Sequence, residues 1–368
     1  MFRIAIALSS CGLLWLAVSA AQQPPKPPAA AAPQTAAPAG KQDPQSLTFT
    51  TGVTEVIVPV TVRDEKGKFL SNLEAKDFVL LDEGRPQRIT FFSHDQRQPI
   101  VVGFLIDMSN SMRIHWSKYQ DAILELVWNL LPGDPRYRGY LISYANEAEL
   151  LVNTTQNSEA LAEKIRKMKP GGGAALFDAI YKACTSRQLV NGEPFEPRRV
   201  LIIVGDGHNS SGEKTMEEAL EIAQRNLVTI YAMSTQAFGF DNADQGILEK
   251  LATETGGHVE YPLNNPYKDV SGYLSNPQDA GNYALTVGTG GYSAAISKGI
   301  IEAVAGISGE ITTQYVLRYK PDIETDVKPK VFRRIEVKVP SLPTVKIHAK
   351  TGYYPNGVPQ NGPASGGQ

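Results

Sequence analysis

The chain has 368 residues, 42% of them hydrophobic and 20% charged, so most of it is able to bury a core and a wholly disordered chain is excluded. Thirty-six Lys and Arg stand against 38 Asp and Glu, a net charge of −2 that lacks the basic excess of a general nucleic-acid binder. Two cysteines exclude a disulfide framework, and the length leaves room for two or more domains.

The first twenty residues read as a secretory signal peptide. Arg3 supplies the positive n-region, an apolar run ends near Val18, and Val18-Ser19-Ala20 offers small residues for cleavage. The run is short for a stable span of about twenty apolar residues. The expectation is therefore an exported protein, periplasmic, cell-surface or secreted, without a membrane span after cleavage. LSSC (8–11) looks like a lipoprotein box, but too few apolar residues precede Cys11. Cleavage near Ala20 leaves Cys184 as a lone thiol, read as a small core residue on a helix. Residues 21–45 hold seven Pro and eight Ala with no aromatic, Val, Ile or Leu, and read as a disordered, extended linker.

Residues 46–97 form a β segment. VTEVIVPVTV (53–62) is a strand, DEKGK (64–68) a turn, and 77–93 a hairpin joined through Glu83-Gly84. From residue 98 to 310 buried strands alternate with helices. IVVGFLID (100–107), YLISYA (140–145), VLIIVGDG (200–207), VTIYAMS (228–234) and HVEY (258–261) read as strands. Helices are expected at 118–131, 158–168 with Ser158 as N-cap, 176–184, 215–226 and 247–257. Residues 262–295, rich in Gly, Asn, Ser and Tyr, read as a surface insertion before a last helix at 294–306. Strand signals return over 311–355, at 312–321, 332–340 and 344–354, and 356–368 reads as a disordered tail. The rhythm implies an α/β doubly wound, mostly parallel sheet. The segments 46–97 and 311–355 are expected to pair into one accessory β domain, since either alone leaves open sheet edges.

The chemistry concentrates at two strand ends. Asp107, Ser109 and Ser111 form DMSNS after the first buried strand, and Asp206 ends another. In an open α/β sheet such ends converge on one crevice. Two carboxylates and two hydroxyls make an all-oxygen set that suits Mg²⁺, or Mn²⁺, and leaves a coordination position open for an outside anion. The same Asp and Ser types also serve as helix N-caps with no metal.

DMSNS (107–111), GGGAALFDAI (171–180) and VLIIVGDG (200–207) together resemble the three pieces of a von Willebrand factor A (VWFA) domain, which build a metal-ion-dependent adhesion site (MIDAS). The flanks VPVTVRDEKGKFLSNLEAKDFVLLDEG (58–84), QYVLRYKP (314–321) and FRRIEVKV (332–339) resemble a VWFA-related family typical of Acidobacteria. The resemblance covers about residues 47–355. It implies Asp107, Ser109 and Ser111 as first-loop ligands, with Asp206 binding directly or through water. The second motif departs from the pattern: after Gly173, where Thr is usual, stands Ala174, whose methyl group cannot coordinate. Either water fills the gap and weakens the site, or only the fold is kept.

His208 and Asn209, just past Asp206, are placed on the binding rim, and His115 near the first loop is weighed in the same way. The five histidines form no HxxxH pair or Cys/His pattern, so no catalytic zinc is expected. There is no GxSxG elbow and no phosphate-binding glycine loop. The tyrosines at 267, 273, 283 and 292 either pin the insertion or anchor a partner. The function expected is a non-enzymatic adhesion or scaffold module whose cation engages an Asp or Glu of a protein partner. The alternatives are a structural envelope protein with a degenerate site, and a metal- or serine-dependent hydrolase. The hydrolase needs a histidine within reach of Ser109 or Ser111.

Overall fold

A computed structural model describes residues 55–94, 99–114, 116–185, 197–235, 243–262, 290–321 and 331–355. The expected signal peptide, linker and tail, the body of the expected insertion, and His115 lie outside the described residues. The chain opens with β1 (Val56–Arg63), β2 (Val79–Asp82), β3 (Arg85–Gln87) and β4 (Ile89–Ser93). It continues through β5 (Ile100–Asp107), α1 (Trp116–Leu130), β6 (Tyr137–Tyr144), β7 (Ala148–Thr155), α2 (Ser158–Lys167) and α3 (Leu176–Thr185). Next come β8 (Arg198–Gly205), α4 (Met216–Arg225), β9 (Val228–Ser234), α5 (Ala243–Thr255), β10 (Val259–Glu260) and α6 (Gly290–Thr313). It closes with β11 (Tyr315–Tyr319), β12 (Arg333–Lys338), β13 (Lys346–Ala349) and β14 (Gly352–Tyr353).

The six-stranded sheet has the order β10-β9-β8-β5-β6-β7, parallel except for β7. Every residue of β5 is buried, because strands flank it on both edges and helices cover both faces. Alternate residues feed two cores. Phe104 and Ile106 pack with α1, α2 and α6, while Val101 and Leu105 pack with α3, α4 and α5. The register Ile106↔Val204 sets Asp107 level with Gly205, so Asp206 follows immediately beside it.

The flanking segments build two further four-stranded sheets, β13-β1-β11-β4 and β14-β12-β2-β3, around a core of Val58, Val60, Leu80, Tyr315, Leu317 and Ile335. Each contains strands from both chain ends, since β1 pairs with β11 and β13, and β2 with β12. Asp82 ties them together. Fully buried, it accepts from Tyr319 Oη at 2.8 Å, Tyr353 Oη at 3.0 Å and Arg333 Nε at 3.0 Å.

Several local readings need correction. β7 was not expected; it is an irregular antiparallel edge strand whose register shifts twice, so its alternation is broken. The hairpin turn at Glu83 and Gly84 has positive φ at both residues, but the strand after it divides. β3 stays with β2, whereas β4 joins β11 in the other sheet. The cap of α2 is Asn157, whose Oδ1 accepts from Glu159 N at 3.0 Å, not Ser158. α6 runs from 290 to 313, taking in residues 290–295 of the expected insertion and the first residues expected in the following strand. Ile300, Ala303, Val304, Ile307 and Ile311 keep one apolar stripe against the core, which carries the helix past Gly306. Among the described residues no helix is long and apolar enough to cross a membrane.

Candidate metal centre

β5 ends at Asp107, and the chain turns at once. Ser109 N donates to Asp107 Oδ1 at 2.7 Å, and Met108 N donates to Tyr144 O at 2.8 Å, which pins the loop to the end of β6. A 3₁₀ turn over Asn110–Ile114 follows. The serine side chains meet, with Ser109 Oγ 2.8 Å from Ser111 Oγ; Ser109 is buried and Ser111 exposed. The hydroxyl pair thus leads from the buried carboxylate to the surface.

A capping role accounts for only one of the Asp107 oxygens. Oδ1 serves the Ser109 amide, whereas Oδ2 is buried without a hydrogen-bond partner among the described residues. The nearby Tyr144 Oη is orphaned as well. A Cβ on Gly205 would lie 2.4 Å from that hydroxyl and 3.0 Å from Asp107 Oδ2, so glycine is required for the strands to bring these groups together. Burial pushes the Asp107 carboxyl up to about 7, and the Asp206 charge adds to this against the opposing Ser109 amide. A buried carboxylate with one unsatisfied oxygen, beside a second carboxylate and two hydroxyls, is an environment that a small hard cation would relieve.

The glycine loop closes over this position. Gly171 N donates to Met108 O at 2.6 Å and Asn110 N to Gly172 O at 3.1 Å. Gly173 N donates to Asn146 Oδ1 at 2.7 Å, and a Cβ on Gly173 would lie 2.3 Å from Ser211 Oγ. Ala174 is fully buried, and its amide donates to Ser210 Oγ at 3.0 Å while its carbonyl accepts from the Ser210 and Ser211 amides. The three expected loops are therefore joined by hydrogen bonds, and the position of Ala174 brings a methyl group.

The two rim residues do other work. His208 N donates to Asp206 Oδ1 at 2.9 Å, and the His208 ring pairs through Nδ1 with Asp244 Oδ2 of α5 at 3.0 Å, not with Ser109 or Ser111. Asn209 turns inward, where its Oδ1 accepts from Phe177 N at 3.1 Å and satisfies a first-turn amide of α3. Of the described residues, then, neither serine has a histidine base. Sequence reading also missed Tyr144, Asn146, Ser210 and Ser211. Only their spacing from the recognised motifs, at the end of β6 and just after Asp206, could have signalled them.

Comparison with known proteins finds a family model that matches part of the chain. Residues 102–268 match the von Willebrand factor type A domain. The match spans β5 through β10, and the six-stranded sheet with its helices has the VWA fold. Solved structures similar to this chain include proximal thread matrix protein 1 of the mussel byssus, whose MIDAS motif is occupied by zinc. It is 15% identical with a TM-score of 0.41 over 63% of this chain and 50% of that one. This chain thus spans about half the length of that protein. A von Willebrand factor type A protein from Catenulispora acidiphila is 13% identical, TM-score 0.41, over 78% and 64% of the two chains. BatB from Bacteroides thetaiotaomicron is 18% identical, TM-score 0.36, over 55% and 98%. Among curated proteins none matches.

Proposed function

We propose that the chain is an exported, non-enzymatic protein-binding module whose VWA domain holds a divalent cation and engages an acidic residue of a partner. The observation that supports this most is Asp107 Oδ2, buried without a hydrogen-bond partner among the described residues, in the same loop as the paired Ser109 and Ser111 hydroxyls. Asp107, Ser109 and Ser111 would hold the ion, with Asp206 binding directly or through water. Mg²⁺ or Mn²⁺ fits this oxygen set. Bound there, the ion supplies a strong, directional attraction for a carboxylate. The residues of this chain position it: Tyr144 O and Gly172 O fix the DMSNS loop, and Asn146 and Ser210 fix the glycine loop. The flanking sheets would present the domain, and the acidobacterial VWFA-related family remains the best reading of those flanks.

A second reading keeps the fold as an envelope scaffold without a working site, and Ala174 favours it, since a methyl replaces a ligating hydroxyl. Peptide-display selection against the full chain separates the two. The binding reading expects enriched peptides that need an Asp or Glu, and that are lost with chelator and with Asp107→Ala. Binders that survive chelator, or that tolerate replacement of every carboxylate by amide, contradict it.

A further inference from the structure

We propose that His258, Glu310 and His348 form a second divalent-cation site, of zinc type, which clasps the accessory β sheet onto the edge of the VWA sheet. The three residues come from separate elements. His258 immediately precedes the edge strand β10, Glu310 lies in the last turn of α6, and His348 lies on β13, where it pairs with Thr61 of β1. Their ligand atoms all lie within 4.8 Å of one another.

The distances suit one ion. His258 Nδ1 is 2.9 Å from Glu310 Oε2, and His348 Nδ1 is 3.2 Å and 3.1 Å from Oε1 and Oε2. A tetrahedral zinc with bonds of about 2.0–2.1 Å separates its ligand atoms by about 3.3 Å. His258 Nδ1 faces the Glu310 carboxylate from a buried position, so the two ligand atoms are already turned toward one another. The other nitrogen of His258 is engaged: Nε2 lies 2.7 Å from Glu260 Oε1, with Arg63 Nη2 farther off at 3.4 Å. A carboxylate holding the far N–H of an imidazole fixes the tautomer that turns the Nδ1 lone pair toward a metal. Close packing maintains this partner, since a Cβ on Gly306 would lie 2.5 Å from Glu260 Oε1.

Glu310 is fully buried and His348 is the most exposed of the three, which gives the ion an entry path and leaves a fourth position for water. Arg63 Nη2 donates to Glu310 Oε2 at 2.7 Å and the Tyr231 side chain also bonds Glu310, so an ion would use the remaining lone pairs of the carboxylate. The positive charge of Arg63 is offset by Glu260, 3.7 Å from its Nη1. Two imidazoles with a single carboxylate favour zinc over magnesium, the opposite preference to the oxygen set at Asp107. This site does not depend on the function proposed above. The competing occupant is a proton, which would make the cluster a plain ion-pair network.

The test uses Co²⁺ and Zn²⁺ titrated into chelator-treated full chain in excess Mg²⁺, with four proteins: wild type, Asp107→Ala, His348→Ala and the double variant. The expected result is one tight site that survives Asp107→Ala and excess Mg²⁺ and weakens at least about 100-fold with His348→Ala. Circular dichroism confirms that each variant is folded. X-ray absorption on the zinc-loaded wild type gives a readout that needs no variant, and is expected to show imidazole scattering from two histidines. Absence of Co²⁺ and Zn²⁺ binding in Asp107→Ala, equal affinity in folded His348→Ala, or a spectrum without imidazole scattering would overturn the proposal.

Discussion

Asp107→Asn is expected to stabilise the metal-free protein while abolishing the proposed cation site. Burial raises the Asp107 carboxyl from 3.8 to about 7, so the folded state binds a proton that the unfolded state has released across that window. The stabilisation from this proton is complete below pH 3.8 and is lost as pH rises through about 7. At pH 8 the ionised, half-satisfied carboxylate therefore costs about 4 kcal/mol, at ~1.36 kcal/mol per tenfold. The asparagine keeps an oxygen for the Ser109 amide, which now takes Asp107 Oδ1 at 2.7 Å, and removes the charge. Urea denaturation in chelator should show Asp107→Asn more stable than wild type by about 2–4 kcal/mol at pH 8, with the difference shrinking below about 1 kcal/mol at pH 4. Mg²⁺ should close most of that gap, because ligand at a hundred times its Kd adds about 2.7 kcal/mol to wild type alone. If Asp107→Asn is less stable than wild type in chelator at pH 8, the carboxylate is satisfied and the reasoning fails.

Three further outcomes are expected. Lys350 Nζ is buried without a partner among the described residues and burial lowers it from 10.5 to about 7, so its contribution to stability rises with pH between those values; Lys350→Met should gain about 2–4 kcal/mol at pH 7 and flatten that slope in urea melts. Asp82→Ala should cost about 3–5 kcal/mol in the same assay, because it leaves Arg333 and two tyrosine hydroxyls of the accessory sheets unpaired; a loss under about 1 kcal/mol would show that the network is not structural. Ala174→Thr should tighten Mg²⁺ about tenfold, or ~1.4 kcal/mol, by adding a hydroxyl ligand; unchanged affinity in calorimetry would place residue 174 away from the ion.

What the sequence reveals depends on how local the cause is. β5 and β8 are legible because strands covered on both faces must be continuously apolar, and Asp107 and Asp206 follow because parallel strand ends share a crevice. The pairing of the two chain ends was foreseeable because open sheet edges need partners. β7 was hidden by its irregular pairing, and the end of α6 by a stripe set by packing on distant helices. The roles of Asn209 and His208 were hidden for a related reason: their partners, Phe177 and Asp244, are 32 and 36 residues away. Glu310 and His348 are 38 residues apart on a helix and a strand, so no local motif announces their meeting with His258.

The most direct test of the cation site at Asp107 is calorimetric titration of Mg²⁺ into chelator-treated full chain at pH 8, beside Asp107→Ala. The account expects one saturable site in wild type and none in the folded variant. Equal binding by both proteins, or no binding by wild type, would contradict it.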